Sequence, residues 1–423
     1  MGHARLSPSQ AGRWRRCPGS VREEAKYVDT DNEYSLRGTA AHFVGEDCLK
    51  NNRTPGYWRA EQVAVDKVDG TKEFVVITKE DTEAVWTYVD YVMRRMEAIP
   101  GVHAEFETKL NPGAWLGRDD NEGTVDCALF SNIELEAVDY KHGAGVAVDA
   151  IENEQLLEYM IGMCARMDWS QISHEIPVKG TIVQPRAHHP DGPIRTWTMT
   201  ARELFARVPE VKAWCEATDA PDAPLVPGDK QCRFCKAKAE CPALRASATE
   251  VFKPQTSGGD GAWEQAEMNL GRPADQLQLG EIATILEKKP MIQAWLKAVT
   301  EHATKLAMNG TEVPGFKVVE GKSNRKWEME EEALIKKLAA LKHRETEKSI
   351  GQKTVTKTTV LSPAQAEKII QPLVTERTWR NLQKFIVKPP GAPTLVPVTD
   401  PREPVKGPEQ VFEKQEETPA WLA

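Results

Sequence analysis

The stretch GTVDCALFSNIELEAVDYKHG (123–143) decides how this chain folds. GTVDCALF (123–130) and IELEAVDY (133–140) are short, apolar and partly β-branched, and Ser131-Asn132 separates them, which reads as a hairpin. Strand side chains alternate between faces, so Leu135, Ala137, Asp139 and Lys141 share one face. With a two-residue turn, Asp126 stands opposite Ala137, and Asp139 is its diagonal neighbour, roughly 7–8 Å away at the backbone. Two carboxylates so placed converge on one cation, and a hard ion such as Mg²⁺ or Mn²⁺ suits oxygen ligands and keeps waters for chemistry. Lys141, one step beyond, stands where it can steady an attacking water or the charge on a phosphate. The competing reading is an ordinary solvated Asp and Lys at a strand end.

Outward from the hairpin, residues 36–50 have helical character, and 81–99 form an amphipathic helix with apolar residues three and four apart. Residues 103–111 alternate like a strand. After the hairpin come a helix over 150–167, strands over 179–187 and 194–200, and a helix over 201–217. Residues 1–250 therefore read as one α/β domain. A Gly/Ser-rich linker follows at 251–262, then a mainly helical extension over 263–387, with a helix at 277–308, a small hairpin within 313–327 and charged helix over 328–386. Proline and charge dominate 388–423, where disorder is expected.

The formal net charge is -8, so any nucleic-acid binding must rest on local basic patches rather than on bulk charge. No run is long and apolar enough for a membrane span, and no secretory leader is visible, so a cytoplasmic location is expected. Eight cysteines in a chain of 423 residues do not make a disulfide scaffold. Cys48, Cys127, Cys164 and Cys215 lie among apolar neighbours and read as core. CRFCKAKAEC (232–241) is different: its three thiols can hold a metal, and Cys17 in RWRRCPGS (13–20) can supply the fourth ligand. On spacing alone zinc is the natural ion. Arg13, Arg15, Arg16, Lys230, Arg233, Lys236 and Lys238 crowd these cysteines. They can track a DNA backbone while Trp14 and Phe234 stack on bases, or form a solvated face.

His42 lies one turn into its helix, with Glu46 on the same face, and Gln155 and Tyr159 share a face of the helix after the hairpin. Glu105 and Glu107 sit on the strand before it. In order, Gly38-x-x-x-His42, Glu105, Gly123-x-x-Asp126, Asp139-x-Lys141 and Gln155-x-x-x-Tyr159 resemble the RecB-type branch of the PD-(D/E)XK nuclease superfamily, over roughly residues 10–245. The resemblance implies a restriction-endonuclease-like core, a central mixed sheet flanked by helices. It also implies that His42, Asp126 and Asp139 bind Mg²⁺ or Mn²⁺, that Lys141 is catalytic and that Gln155 and Tyr159 contact DNA. A glutamate completes the acidic set, with Glu105 assigned and Glu107 competing for the place. The cysteine pattern resembles that of iron–sulfur nucleases of the AddB and CRISPR-adaptation type. That implies a [4Fe–4S] cluster on Cys17, Cys232, Cys235 and Cys241, with zinc as the alternative.

The layout of core plus helical extension also resembles a phage-encoded family known only as a domain of unknown function. It implies work on DNA, as linear ends or single strands, in phage replication or recombination within a bacterial host, beside a single-strand annealing or binding protein. The expected function is thus a metal-dependent deoxyribonuclease, as an exonuclease resecting ends. Its rival is a non-catalytic DNA-binding or scaffold protein on the same fold.

Overall fold

The computed structural model describes residues 4–250, 279–329, 331–342 and 361–405. The chain divides into two compact units, Met1–Leu296 and Lys297–Ala423. The division falls inside a helix rather than at the expected 251–262 linker, which lies outside the described residues.

In the first unit, α1 (Glu33–Asn51) starts at Asn32, whose side chain accepts from the Tyr34 and Ser35 amides. These bonds satisfy N–H groups that no helical carbonyl reaches. β1 (Gln62–Asp66) and β2 (Lys72–Val76) form a separate two-stranded ribbon. α2 (Lys79–Ala98) opens on a reciprocal cap between Thr78 and Asp81. The central sheet then follows as β3 (His103–Leu110), β4 (Gly123–Phe130), β5 (Leu135–Tyr140), β6 (Pro177–Val183) and β7 (Ile194–Thr200). These five strands lie side by side in chain order. All pairs are antiparallel except β5 with β6, which is parallel because α3 (Glu154–Cys164) crosses over between them. α4 (Ala201–Ala217) and α5 (Pro242–Glu250) close the unit.

Alternation along β4 and β5 divides the core. Cys127, Leu129, Val138 and Tyr140 pack with α1 and α2, while Ala128, Phe130, Leu135 and Ala137 pack with α3 and α4. The sheet is thus largely apolar on both faces, with buried Glu136 held by Tyr91, Arg95 and Thr181 on one of them.

The hairpin register differs from the expected one. Cys127 pairs with Val138 and Ala128 with Ala137, a shift of two residues. The loop takes four residues, not two: the Ser131 amide donates to the Glu134 carbonyl, and Ser131 Oγ accepts from the amides of Ile133 and Glu134. A shift of two keeps every side chain on its face.

The second unit begins within α6 (Leu279–Met308), then runs through β8 (Phe316–Glu320), β9 (Lys326–Trp327), α7 (Glu331–Ala339), α8 (Pro363–Ile369), α9 (Glu376–Gln383), β10 (Ile386–Val387) and β11 (Pro393–Pro397). The hairpin expected over 313–327 does not form. β8 pairs with β11, and β9 with β10. The disorder expected from 388 is likewise corrected as far as residue 405. Thr394, Leu395 and Val396 pair with β8, and Pro393 and Pro397 stand at the strand ends, where a missing N–H is tolerated. Residues 406–423 lie outside the described chain. The continuous charged helix expected over 328–386 is three shorter helices in its described parts, packed through Leu334, Leu338, Ile370, Trp379 and Leu382.

Candidate metal-binding active site

Three carboxylates and two cations meet where β3, β4 and β5 run beside α1 and α3. Asp126 is held at both oxygens. Oδ1 lies 2.7 Å from His42 Nδ1, and Oδ2 accepts the Tyr140 amide at 2.5 Å. Glu107 completes a set with these two: His42 Nδ1 is 3.7 Å from Glu107 Oε1, and one ligand atom from each of His42, Glu107 and Asp126 lies within 4.8 Å of the others. It is the only such group among the described residues.

Glu107 earns attention for its backbone. It adopts φ 48°, left-handed in the middle of a strand. The ladder runs Phe106 with Cys127, then Thr108 with Val125, and the pair between, Glu107 with Asp126, is missing. A left-handed L-residue costs roughly 1–2 kcal/mol, and such strain gathers where a side chain must be aimed. The carboxylate it aims joins His42 and Asp126.

Glu105, the glutamate assigned from the sequence, does not join the group. It is drawn to Arg166, whose guanidinium bonds both its oxygens at 2.6 and 2.8 Å, and it also accepts from Thr108 Oγ1. Arg166 holds its carboxyl down at about 2. A carboxylate so engaged has no oxygen to offer a cation.

Asp139 approaches from the α3 side. Its Oδ1 accepts from Gln155 Nε2 at 2.7 Å, and Lys141 Nζ lies 2.9 Å from Oδ2 and 2.9 Å from Gln155 Oε1. Even so, Oδ2 is buried and makes no hydrogen bond of acceptable direction. Gln155 thus bridges the acid and the lysine. Tyr159 differs from expectation: it is 2% exposed, and its hydroxyl donates to the Thr124 carbonyl at 2.6 Å while accepting from Gln155. It offers no face to a base and serves to position Gln155.

Burial pushes the Asp139 carboxyl up, and neighbouring Asp126 adds to this against the pull of Lys141. Burial also raises Asp126, but His42 and the Tyr140 amide outweigh it and leave its carboxyl lowered. Burial alone would lower His42; Asp126 and Glu107 instead raise it to about 10. Lys141 is raised in the same way by Asp139, against burial. Glu107 is raised by burial, with His42 opposing. The cluster therefore gathers more negative charge than it can solvate, and a proton on His42 partly offsets it. One imidazole nitrogen, several carboxylate oxygens and an orphaned buried oxygen form a donor set that fits a small hard cation.

His42, Asp126, Asp139, Lys141 and Gln155 line a cleft of about 460 Å³, together with Lys109 and Glu122. Two larger cavities, of about 580 and 670 Å³, border the N-terminal segment. Their acids are already engaged: Glu24 with Arg13, and Glu154 with Arg15 and Arg16.

The four clustered cysteines are brought together from opposite ends of the unit. Gly19 donates its amide to the Pro224 carbonyl at 3.0 Å, and a Cβ there would meet the Ala223 carbonyl at 2.5 Å, so only glycine permits this approach. Cys17 Sγ then accepts the Val226 amide, Cys232 Sγ the Gly228 amide and Cys241 Sγ the Leu244 amide, at 3.2–3.4 Å. Cys235 accepts from the Ala237 amide. Burial raises Cys17 and Cys232 and pushes Cys235 up to about 12. Sulfurs ringed by N–H donors yet unable to ionise alone suit a cationic group. As a set they lie further apart than 4.8 Å.

The basic surface expected around them is largely neutralised. Besides Arg13, Arg15 and Arg16, Arg233 pairs with Asp229 and Lys236 with Asp29. Trp14 is 1% exposed and donates to the Ser7 carbonyl, so it cannot stack on a base, whereas Phe234 is 71% exposed.

Residues 3–403 match the profile of a family described as a protein of unknown function (DUF2800). The chain belongs to this family. The DUF2800 match takes in the acidic cluster, the four cysteines and most of the second unit. No described helix is long and apolar enough to cross a membrane.

Proposed function

We propose that this DUF2800 protein is a divalent-metal-dependent DNA nuclease on a PD-(D/E)XK-like core. The observation that carries the reading is the meeting of Asp126, Asp139, Glu107 and His42 beside Lys141, with Asp139 Oδ2 left without a hydrogen bond. His42, Glu107, Asp126 and Asp139 would hold Mg²⁺ or Mn²⁺. When bound, that ion supplies positive charge to a phosphate and eases deprotonation of an attacking water. Asp126 is fixed for this by His42 and the Tyr140 amide, and Asp139 by Gln155. Lys141, braced by Gln155 and Asp139, presents an ammonium to the phosphate oxygens as their charge grows. We read the action as resection of DNA ends in phage replication or recombination.

The cysteine set would hold a [4Fe–4S] cluster that ties residue 17 to residues 232–241.

The test is cleavage by anaerobically purified protein of end-labelled linear single- and double-stranded DNA, with closed circles alongside, in Mn²⁺ or Mg²⁺. Products from linear DNA, absent for Asp139→Asn and Lys141→Ala while both still bind DNA, support the reading. No cleavage of any substrate with iron and sulfide intact overturns it in favour of a DNA-binding protein that keeps the fold.

A further inference from the structure

The second unit pairs Arg325 with Glu367 and Arg402 with Asp400, but it also carries a basic stripe that carboxylates leave open. Most arginines of the first unit are neutralised by carboxylates, as Arg37 is by Asp81, Arg95 by Glu136, Arg118 by Asp120 and Arg207 by Glu210. Along α9 the reverse holds. Arg377, Arg380 and Lys384 recur at i, i+3 and i+7, which places them on one helix face, and all three are exposed. None has an ion-pair partner among the described residues. Lys388 follows, also exposed, and Lys337 reaches the same edge, its Nζ 4.5 Å above the Phe385 ring. Residues 317–388 contain sixteen Lys and Arg against nine Glu and no Asp, although the whole chain is at -8.

A cleft of about 530 Å³ adjoins Lys388. Ser323, Asn324, Arg325, Ser362 and Lys388 line it, with no carboxylate among the described lining residues, although Arg325 is already engaged by Glu367. Hydroxyls, an amide and the Lys388 ammonium suit phosphate oxygens.

We propose that this face binds the sugar–phosphate backbone of nucleic acid, independently of the acidic cleft. At 1.5 Å per residue, the stripe from 377 to 384 spans roughly 10 Å, about three nucleotide rises of one strand at ~3.4 Å each. A membrane-surface helix would keep apolar residues beside its cations to insert into the bilayer. Here the apolar side of α9 is committed elsewhere: Trp379 and Leu382 are buried with Leu334, Leu338 and Ile370. The exposed face is left to charge alone, which suits a polyanion bound through its backbone without sequence readout.

The experiment uses the full chain in EDTA, so that no metal-dependent cleavage intervenes. Binding of labelled single- and double-stranded oligonucleotides is measured across a salt series. The triple variant R377E/R380E/K384E should bind roughly tenfold or more weakly, with the slope of log K against log salt reduced by about 2 to 3, as expected for three lost phosphate contacts. The neutral variant R377Q/R380Q/K384Q should fall between, and K297E, on the same unit, should bind as wild type. Circular dichroism checks that the variants fold. Unchanged affinity and slope in folded triple variant overturn the proposal. So does loss of binding to phosphatidylserine vesicles or to polyglutamate with DNA binding intact. A chain that cleaves nothing in Mn²⁺ or Mg²⁺ yet loses its slope in the triple variant refutes the nuclease reading and supports this one.

Discussion

Replacing Glu107 separates what its backbone costs from what its carboxylate does. Glu107 sits at φ 48° in β3, and a left-handed L-residue there costs roughly 1–2 kcal/mol. Glycine removes that cost but adds unfolded-chain entropy of about 0.5–1 kcal/mol. Glu107→Gly also relieves repulsion with Asp126 and gives up the His42 contact. In EDTA the variant should therefore be as stable as wild type, or more so by up to about 1 kcal/mol. Excess Mn²⁺ should reverse the order. An ion at a hundred times its Kd stabilises the folded chain by about 2.7 kcal/mol, and each tenfold loss of affinity removes about 1.4 kcal/mol of that. Glu107→Gln keeps the strain and most of the shape but loses the charge. It should match wild type in EDTA within about 0.5 kcal/mol and lose the same metal-linked gain. The assay is urea unfolding of all three proteins in EDTA and in Mn²⁺, with calorimetric Mn²⁺ titration of the folded state. The reasoning fails if Glu107→Gly is destabilised by more than about 1 kcal/mol in EDTA, or if both variants keep the full Mn²⁺ stabilisation.

Three further outcomes are expected. Asp139→Asn should lower cleavage at least a hundredfold, on the order of 3 kcal/mol in the barrier, with DNA binding retained; single-turnover kinetics at saturating DNA check this. Glu105→Gln should leave cleavage near wild type but remove an acid-side component of stability. The Glu105 pKa is held at about 2 when folded against an ordinary 4.5, so its contribution is present above pH 4.5 and lost as pH falls through about 2. After solvent screening that is roughly 1 kcal/mol, visible as a smaller acid-induced loss in urea midpoints of the variant. Gly19→Ala forces a Cβ to 2.5 Å from the Ala223 carbonyl, so it should destabilise by roughly 1–3 kcal/mol and lower the iron content of purified protein; unchanged iron would detach Cys17 from the cluster.

Much of the central sheet was legible because its signals are local. Alternation in 123–130 and 133–140 is a property of a few consecutive residues, and the helical spacing of 81–99 needs no partner. The hairpin register was not legible, since it depends on Ser131 capping a four-residue loop, yet the error was even-numbered and left Asp126 and Asp139 at the same strand ends. The choice between Glu105 and Glu107 lay beyond reach for a different reason. Both have the same parity on β3, and what decides between them is Arg166, 61 residues further on and on another element. The same holds for Pro393–Pro397, whose strand exists because Phe316–Glu320 offers it an edge 77 residues upstream. Proline content argued for disorder, but only two end positions carry proline while the pairing residues are β-branched or aliphatic.

The two aspartates look equivalent in sequence and are made different by their surroundings. Asp126 has both oxygens satisfied, one by a charged imidazole and one by a backbone amide, and its carboxyl is lowered in consequence. It is a fixed anion whatever else binds. Asp139 has one oxygen satisfied by an amide side chain and one orphaned beside Lys141, and its carboxyl is raised. Its charge is the one that a cation in the cleft would stabilise most, because Lys141 only partly offsets its burial. That asymmetry sets an order for assembly. On the proposed reading, Asp126, His42 and Glu107 would form a preset anionic corner that Asp139 completes around a bound cation, leaving Lys141, now its counter-ion, free to face a phosphate.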